Sequence, residues 1–367
     1  MQNEFVRDIN AYLDPDKAGL IPLEPLDPDK IRDFDELLLA MSKTAFGGRQ
    51  LGEALDVLET MVRDPECHVV ATFSGAMTVA KMGKLICKMI DEGWVQSIIS
   101  TGALMAHGFI EAIGMKHYKY QFGEMDDKEL CRAGLNRVYD TLEPEKNFIH
   151  SETVVREVFK RLKEKKYLCS YLICRELGRY LHENYKDSGI LKSAYEKNVP
   201  VYIPAFTDSE LALSIACNFL AENPSLAEEF DPEKLPFVFN PYMDLFHYTK
   251  RISNAKKIGI FTIGGGVPRN WAQQVGPFLE MSLQQFPELK WKIKRFHYGV
   301  RICPEPVHWG GLSGCTYEEG ISWGKFVPKD KGGKFAEVLC DATIAWPILI
   351  LALDRRLKKD KKGDKNG

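Results

Sequence analysis

Residues 317–325 (YEEGISWGK) crowd two carboxylates, an indole and an amine into one short segment. Lys325 follows Trp323 with only Gly324 between them. A free lysine has a pKa of about 10.4 and is a poor nucleophile at neutral pH. Burial beneath aromatic surface disfavours the ammonium and frees the lone pair. The neutral amine can then attack a carbonyl or imine carbon, with Glu319 orienting an amine substrate and accepting a proton. The plainer reading is a surface lysine after a helix, with Trp323 packed as core. Residue types alone favour that reading, because lysines are common and catalytic ones rare.

A second set of residues could bind rather than react. Ser74-Gly75, Thr101-Gly102 and Gly264-Gly265-Gly266 each follow a short apolar segment of strand type. Small-residue turns at one sheet edge let backbone N–H groups approach a pyrophosphate. None is a GxGxxG, so the common dinucleotide fingerprint is absent. Any one of these turns is better read as a tight strand-to-helix connection; for the three together, a nucleotide site and plain connections stand on equal footing.

The elements that position these residues follow a strand, turn, helix grammar from residue 68. Residues 68–73 (HVVATF) predict a buried strand. Met82, Leu85, Ile86, Met89 and Ile90 share one face of a following helix, which Gly93 stops. Residues 96–100 predict a second strand, and a helix runs from there to about Gly114. Residues 115–150 are less regular. Ser151 is expected to cap a helix bearing Val155, Val158, Phe159 and Leu162, with the helical pattern running on to about Tyr185. Residues 199–204 predict a strand, and Thr207 with Glu210 a capping box for the helix carrying Leu211, Ile215 and Phe219. A polar, proline-containing loop follows. Residues 257–263 predict a strand, 267–284 a helix, 291–303 one or two strands, and 336–340 a strand before an apolar final helix.

This grammar implies an α/β fold: a single large domain with one mostly parallel, Rossmann-like sheet flanked by helices, with ligands at the carboxyl ends of strands. The 367 residues suffice for such a core. Residues 1–45, polar and rich in proline and aspartate, read as an N-terminal arm with a short helix near 34–41. Residues 46–355 form the catalytic domain, and 356–367 a solvated basic tail. A formal net charge of -2 gives no support to a nucleic-acid partner. No apolar run is long enough for a membrane helix, and the first residues lack the pattern of a secretory signal. The nine cysteines contain no CxxC pair and read as reduced, buried thiols of a cytoplasmic protein, in preference to disulfides or a metal site.

The segment SWGK resembles the active-site signature of deoxyhypusine synthases. IGGGVPRNW at residues 263–271, the stretch 298–314, LCDATIAW at 339–346, PAFTD at 204–208 and the turns at Ser74 and Thr101 match that family in the same order. The resemblance extends over roughly residues 65–355 and is shared by homospermidine synthases of the same lineage. It implies an NAD-dependent transferase without net redox change: an aminoalkyl group passes from a polyamine through an imine on a lysine to an acceptor amine. By that resemblance Lys325 is the imine-forming nucleophile, and Glu319 and Trp323 flank the amine. Ser74, Gly75, Thr101, Gly102, Asp208, Gly265, Asp341 and Ala342 contact NAD. Plainer roles stand beside these: Ser74 as a helix cap, Thr101 as a strand end, and Asp208 and Asp341 as complements to helix dipoles. The resemblance further implies a homotetramer with sites at dimer interfaces, the N-terminal arm lying over a neighbour's site.

The departures concern the substrate side. Acidic positions around the family's polycation are Leu213 and Leu312 here. A histidine after the triple glycine becomes Asn270, a carboxylate after the second turn becomes His107, and an asparagine of the glycine-turn helix becomes Gln274. A buried ammonium without its carboxylate costs several kcal/mol. A small-molecule amine other than spermidine is therefore expected, with the acceptor, protein lysine or small amine, left open. Two rival readings accompany this one: homospermidine synthase, with putrescine as acceptor, and a catalytically inactive NAD-binding regulator.

Overall fold

The structure is a computed structural model that describes residues 7–363 apart from Glu124, Lys163 and Phe230. Along the chain, α1 (Phe34–Ser42) and α2 (Phe46–Arg63) lead into β1 (Cys67–Phe73), α3 (Gly83–Asp91), β2 (Ser97–Ser100) and α4 (Gly102–Ala112). Then come β3 (Tyr118–Lys119), α5 (Asp127–Arg132), β4 (Leu135–Val138), β5 (Thr141–Pro144) and α6 (Glu145–Lys160). β6 (Tyr167–Leu168), α7 (Ser170–Asn184), α8 (Ile190–Glu196), β7 (Val201–Tyr202), α9 (Glu210–Glu222), β8 (Val238–Phe239) and α10 (Pro241–Asn254) follow. The last third holds β9 (Lys257–Ile263), α11 (Gly266–Gln273), α12 (Val275–Gln285), β10 (Tyr298–Ile302), α13 (Tyr317–Ser322), β11 (Lys334–Val338) and α14 (Ala342–Gly363).

The central sheet has six parallel strands in the order β11-β10-β9-β1-β2-β7. Counted within the sheet, that is 6-5-4-1-2-3, the doubly wound order whose direction reverses between its first and fourth strands. The reversal falls between β1 and β9, paired along their whole length from Cys67 opposite Lys257 to Phe73 opposite Ile263. Both strands are apolar on both faces, as a doubly covered parallel sheet requires. Val69, Ala71 and Phe73 enter one core with helices α2, α3 and α4, whereas Val70 enters the other with Tyr248, Ala272 and Leu279. Thr72 and Thr262 satisfy each other across the sheet at 2.9 Å.

Several boundaries differ from expectation for identifiable reasons. Ser151 is buried in the interior of α6, which begins at Glu145 directly after Pro144 ends β5. The helical pattern breaks between α6 and α7, where β6 intervenes. Ser209, not Thr207, caps α9: its hydroxyl accepts from the Ala212 amide, and Glu210 opens the helix. The helix after the glycines is two helices meeting at Gln274, because Pro277 in the first turn of α12 has no N–H to continue the ladder. Of residues 291–303 only Tyr298–Ile302 pairs as a strand. Residues 115–150 hold a small antiparallel sheet, β3-β5-β4.

The short helix expected near 34–41 is α1, with residues 7–26 exposed ahead of it, but that helix packs into the main body and the basic tail departs from expectation. Leu38 of α1 is fully buried in the main core. The basic run from Arg355 continues α14 instead of fraying, because carboxylates face it. Arg356 bonds Asp35 of α1 and Asp56 and Glu59 of α2, and Lys359 bonds Asp35. Residues 1–6 of the arm and 364–367 of the tail lie outside the described residues.

Candidate active site

Lys325 reaches its position through the end of α13. Thr316 caps that helix, its hydroxyl accepting from the Glu319 amide at 3.0 Å. At the other end Gly324 adopts φ +67, the left-handed conformation that glycine takes without strain. The Gly324 amide bonds Ile321 and the Lys325 amide bonds Gly320, which closes the helix in a Schellman turn. The reversal sends Lys325 inward, where it is 7% exposed, and leaves Trp323 outside at 64%. The expectation of Trp323 as core is thus not met, but its ring still lies 5.7 Å from the Lys325 Nζ.

Two buried arginines hold the facing loop. Arg301 of β10 donates to the Ser313 and Cys315 carbonyls and pairs with Glu337 of β11, which in turn accepts the Tyr317 amide. Arg269 of α11 donates to the Leu312 and Cys315 carbonyls. The loop and α13 are therefore fixed to the sheet through their backbones, which frees their side chains to shape a pocket of about 290 Å³. Lys325, Glu319, Trp323, Leu312, Asn270 and Gln274 all line it, as do Arg269, Gln273 and Cys315. The Lys325 amine donates to Asn270 Oδ1 at 3.1 Å, the one hydrogen bond found for Nζ among the described residues. Burial pushes the Lys325 amine below the ordinary lysine range, and the Arg269 guanidinium adds to this. The Cys315 thiol and Glu319 carboxylate oppose the shift without cancelling it. A lysine with a neutral amide for a partner is poised to present a lone pair.

The glycine turn lies at the sheet reversal. The Ser74 hydroxyl, just past β1, accepts from the Gly265 amide at 2.8 Å. A Cβ at Gly264 would lie 2.4 Å from Ser74 Oγ, and one at Gly265 2.4 Å from Ser313 Cα. Gly264 (φ +74) and Gly266 (φ +65) also need the left-handed region, and Gly266 faces open space. Thr101 caps α4 through the Leu104 amide. Gly102 admits the Asp208–Ser209 turn, since a Cβ there would meet Ser209 at 2.4 Å. Gly75, Asp208 and Asp341 are exposed and Ala342 is buried. Asp341 caps α14 through Thr343, at 2.7 Å from its amide.

Two residues named with the substrate do not join this pocket. Leu213 lies on α9, 63% exposed. His107, on α4, instead contacts Glu143 of β5, close to His117. The sequence reading missed Arg269 and Gln273, although Arg269 adjoins Asn270 in the chain and could have been taken from that adjacency. It also missed His117 and Glu143, whose meeting depends on the small sheet and has no local spacing signal.

Residues 36–353 match the family model "DS: Deoxyhypusine synthase". A "probable deoxyhypusine synthase 2" of Methanosarcina acetivorans is 33% identical over 91% of this chain and 90% of its own length. A protein of the same name from Archaeoglobus fulgidus is 32% identical over 84% of this chain and 94% of its own. A "deoxyhypusine synthase-like protein" of Chlorobaculum parvum is 32% identical over 84% and 83%. Among solved structures, one described as a "putative deoxyhypusine synthase" from Entamoeba histolytica superposes with a TM-score of 0.57 at 13% identity, over 90% of this chain and 96% of that one. That likeness bears on the fold, and the α/β architecture with its parallel sheet agrees with it. The chain belongs to the deoxyhypusine synthase family.

Proposed function

We propose that the protein is a cytoplasmic, NAD-dependent transferase that moves an aminoalkyl group from an amine donor, through an imine on Lys325, to an acceptor amine. The observation that carries this reading is the buried Lys325 amine on a pocket wall, partnered by an amide and not by a carboxylate. Neutral Nζ attacks an imine carbon of the donor, and the donor's leaving amine departs with the proton. The acceptor amine then attacks the same carbon and releases Lys325. Glu319 at the pocket mouth takes up and returns protons, and the exposed Trp323 ring stands 5.7 Å from the amine at that open mouth.

The residues present fit NAD. Gly264 and Gly265 leave no room for side chains at the sheet reversal, Gly266 opens outward, and the first turn of α4 turns its N–H groups to the same edge. Ser74, Gly75, Thr101, Gly102, Asp208, Gly265, Asp341 and Ala342 would hold it. Bound NAD supplies an acceptor, and later a donor, of hydride for the carbon beside the amine.

Leu312 makes the pocket less suited to a polycation, so the donor is an amine of lower charge than spermidine. Val307, Leu312 and Trp323 form an exposed apolar rim around the pocket. That rim supports closure of the site by another copy of the chain, as in a homotetramer. The test is turnover with a panel of di- and polyamines, following NADH and amine products. Lys325→Ala should abolish transfer and leave NAD binding intact; full transfer by that variant would overturn the reading.

A further inference from the structure

Glu143, His107 and His117 come from three separate elements: β5, the second turn of α4, and the segment before β3. Their side chains are 1%, 12% and 0% exposed. One potential ligand atom from each lies within 4.8 Å of the other two. We propose that these residues form a binding site for a divalent transition-metal ion of the zinc class, apart from the Lys325 pocket.

The arrangement has the features of a ligand set. Glu143 Oε2 lies 2.5 Å from His107 Nδ1 and 3.1 Å from His117 Nε2. The nearest nitrogen of each imidazole thus faces the same carboxylate oxygen, so three potential ligand atoms from separate elements share one buried spot. Ligands about 2.0–2.1 Å from a tetrahedral ion stand about 3.3 Å apart. Small adjustments reach that spacing. The outer contacts are also in place. The other carboxylate oxygen, Oε1, accepts from Asn147 Nδ2, and that amide also bonds the Lys116 carbonyl. The far ring nitrogen of His107, Nε2, has the Glu210 carboxylate 3.9 Å away, beyond hydrogen-bond range but near enough to become the outer carboxylate partner of a ligating histidine after a small shift. Two imidazoles and one carboxylate suit Zn²⁺, Co²⁺ or Fe²⁺, and three protein ligands leave a coordination position open. The ion would tie the small antiparallel sheet to α4.

Lys81 is the competitor. Its ammonium donates to His117 Nδ1 at 2.8 Å and pairs with Glu111 at 2.5 Å. That bond places the His117 proton on Nε2, the atom that must bind the ion. Metal entry moves the proton to Nδ1, and Lys81 withdraws to Glu111 alone. Removing the lysine should therefore tighten metal binding.

The test is equilibrium dialysis of the full chain, stripped with chelator, against Zn²⁺ and Co²⁺, with Co²⁺ absorption reporting the ligands. The expected result is one ion per chain at micromolar or tighter affinity. Glu143→Gln and His117→Asn should each weaken binding at least tenfold, and Lys81→Met should tighten it about tenfold. Failure of the wild type to bind either ion stoichiometrically would overturn the proposal, whatever the variants do. So would binding that both ligand variants retain in full, or a weakening in Lys81→Met.

Discussion

Asn270→Asp changes one atom's identity at the Lys325 amine while keeping the side chain's size. The amide oxygen now accepts from Nζ at 3.1 Å. A carboxylate at that distance attracts the ammonium by about 1.3 kcal/mol at the permittivity of water and about 5 kcal/mol at an effective value of 20. At 1.36 kcal/mol per unit, this is about 1–4 units of pKa. Trp323 and Leu312 leave the pocket mouth open, so the lower half of that range applies. The sign is upward, because an added anion favours the protonated amine. At neutral pH the neutral-amine fraction should fall about 10- to 100-fold, with kcat following it. The rising limb of the pH–rate profile should move to higher pH by the same 1–2 units, with the rate recovering towards the wild-type plateau at alkaline pH. That recovery separates a titration effect from damage to the fold. A limb that stays in place would refute the assignment of Lys325 as the group that must lose its proton, as would a rate that never recovers.

Other perturbations test the framework around it. Gly264→Ala forces a left-handed φ of +74 and a Cβ 2.4 Å from Ser74 Oγ, costing about 2–5 kcal/mol. Calorimetry with NAD should show weakened binding, and an unchanged affinity would remove the glycine turn from the cofactor site. Leu312→Asp returns a carboxylate to the pocket and should improve spermidine affinity by about 10- to 150-fold, or about 1.5–3 kcal/mol; a wild type with micromolar KM for spermidine would show that the leucine lies off the amine path. Arg356→Ala removes the guanidinium that Asp35, Asp56 and Glu59 share, although Asp35 keeps Lys359 and Glu59 keeps Arg63, and should cost about 1–2 kcal/mol in urea unfolding. A change within about 0.5 kcal/mol would mean that the bridge between α14 and α1 contributes little.

The parts legible in the sequence were those fixed by local chemistry. Strands β1 and β9 stand out because they are short, β-branched and closed by small-residue turns. Lys325 stands out because SWGK is a compact signature. The parts that stayed hidden depend on chain segments distant in sequence. Nothing around Arg301 shows that it will hold Ser313 and Cys315, or that Glu337 will receive the Tyr317 amide. The basic run near the C-terminus looks solvated until α1 and α2 bring acidic residues against it. His107 was linked to the substrate by its place in the motif order, whereas packing gives it Glu143 as a neighbour. Thr207 and Ser209 are both competent caps, and the close approach of Ser209 to Gly102 shows which one the turn uses.

The central claim is that Lys325 carries the transferred group. Borohydride reduction of the protein incubated with NAD and an amine donor, followed by peptide mass spectrometry, tests it directly. The account predicts a stable aminoalkyl adduct on the peptide containing Lys325, dependent on both NAD and donor and missing from Lys325→Ala. Turnover in the same sample without any adduct at Lys325, or with the adduct on another lysine, would contradict it.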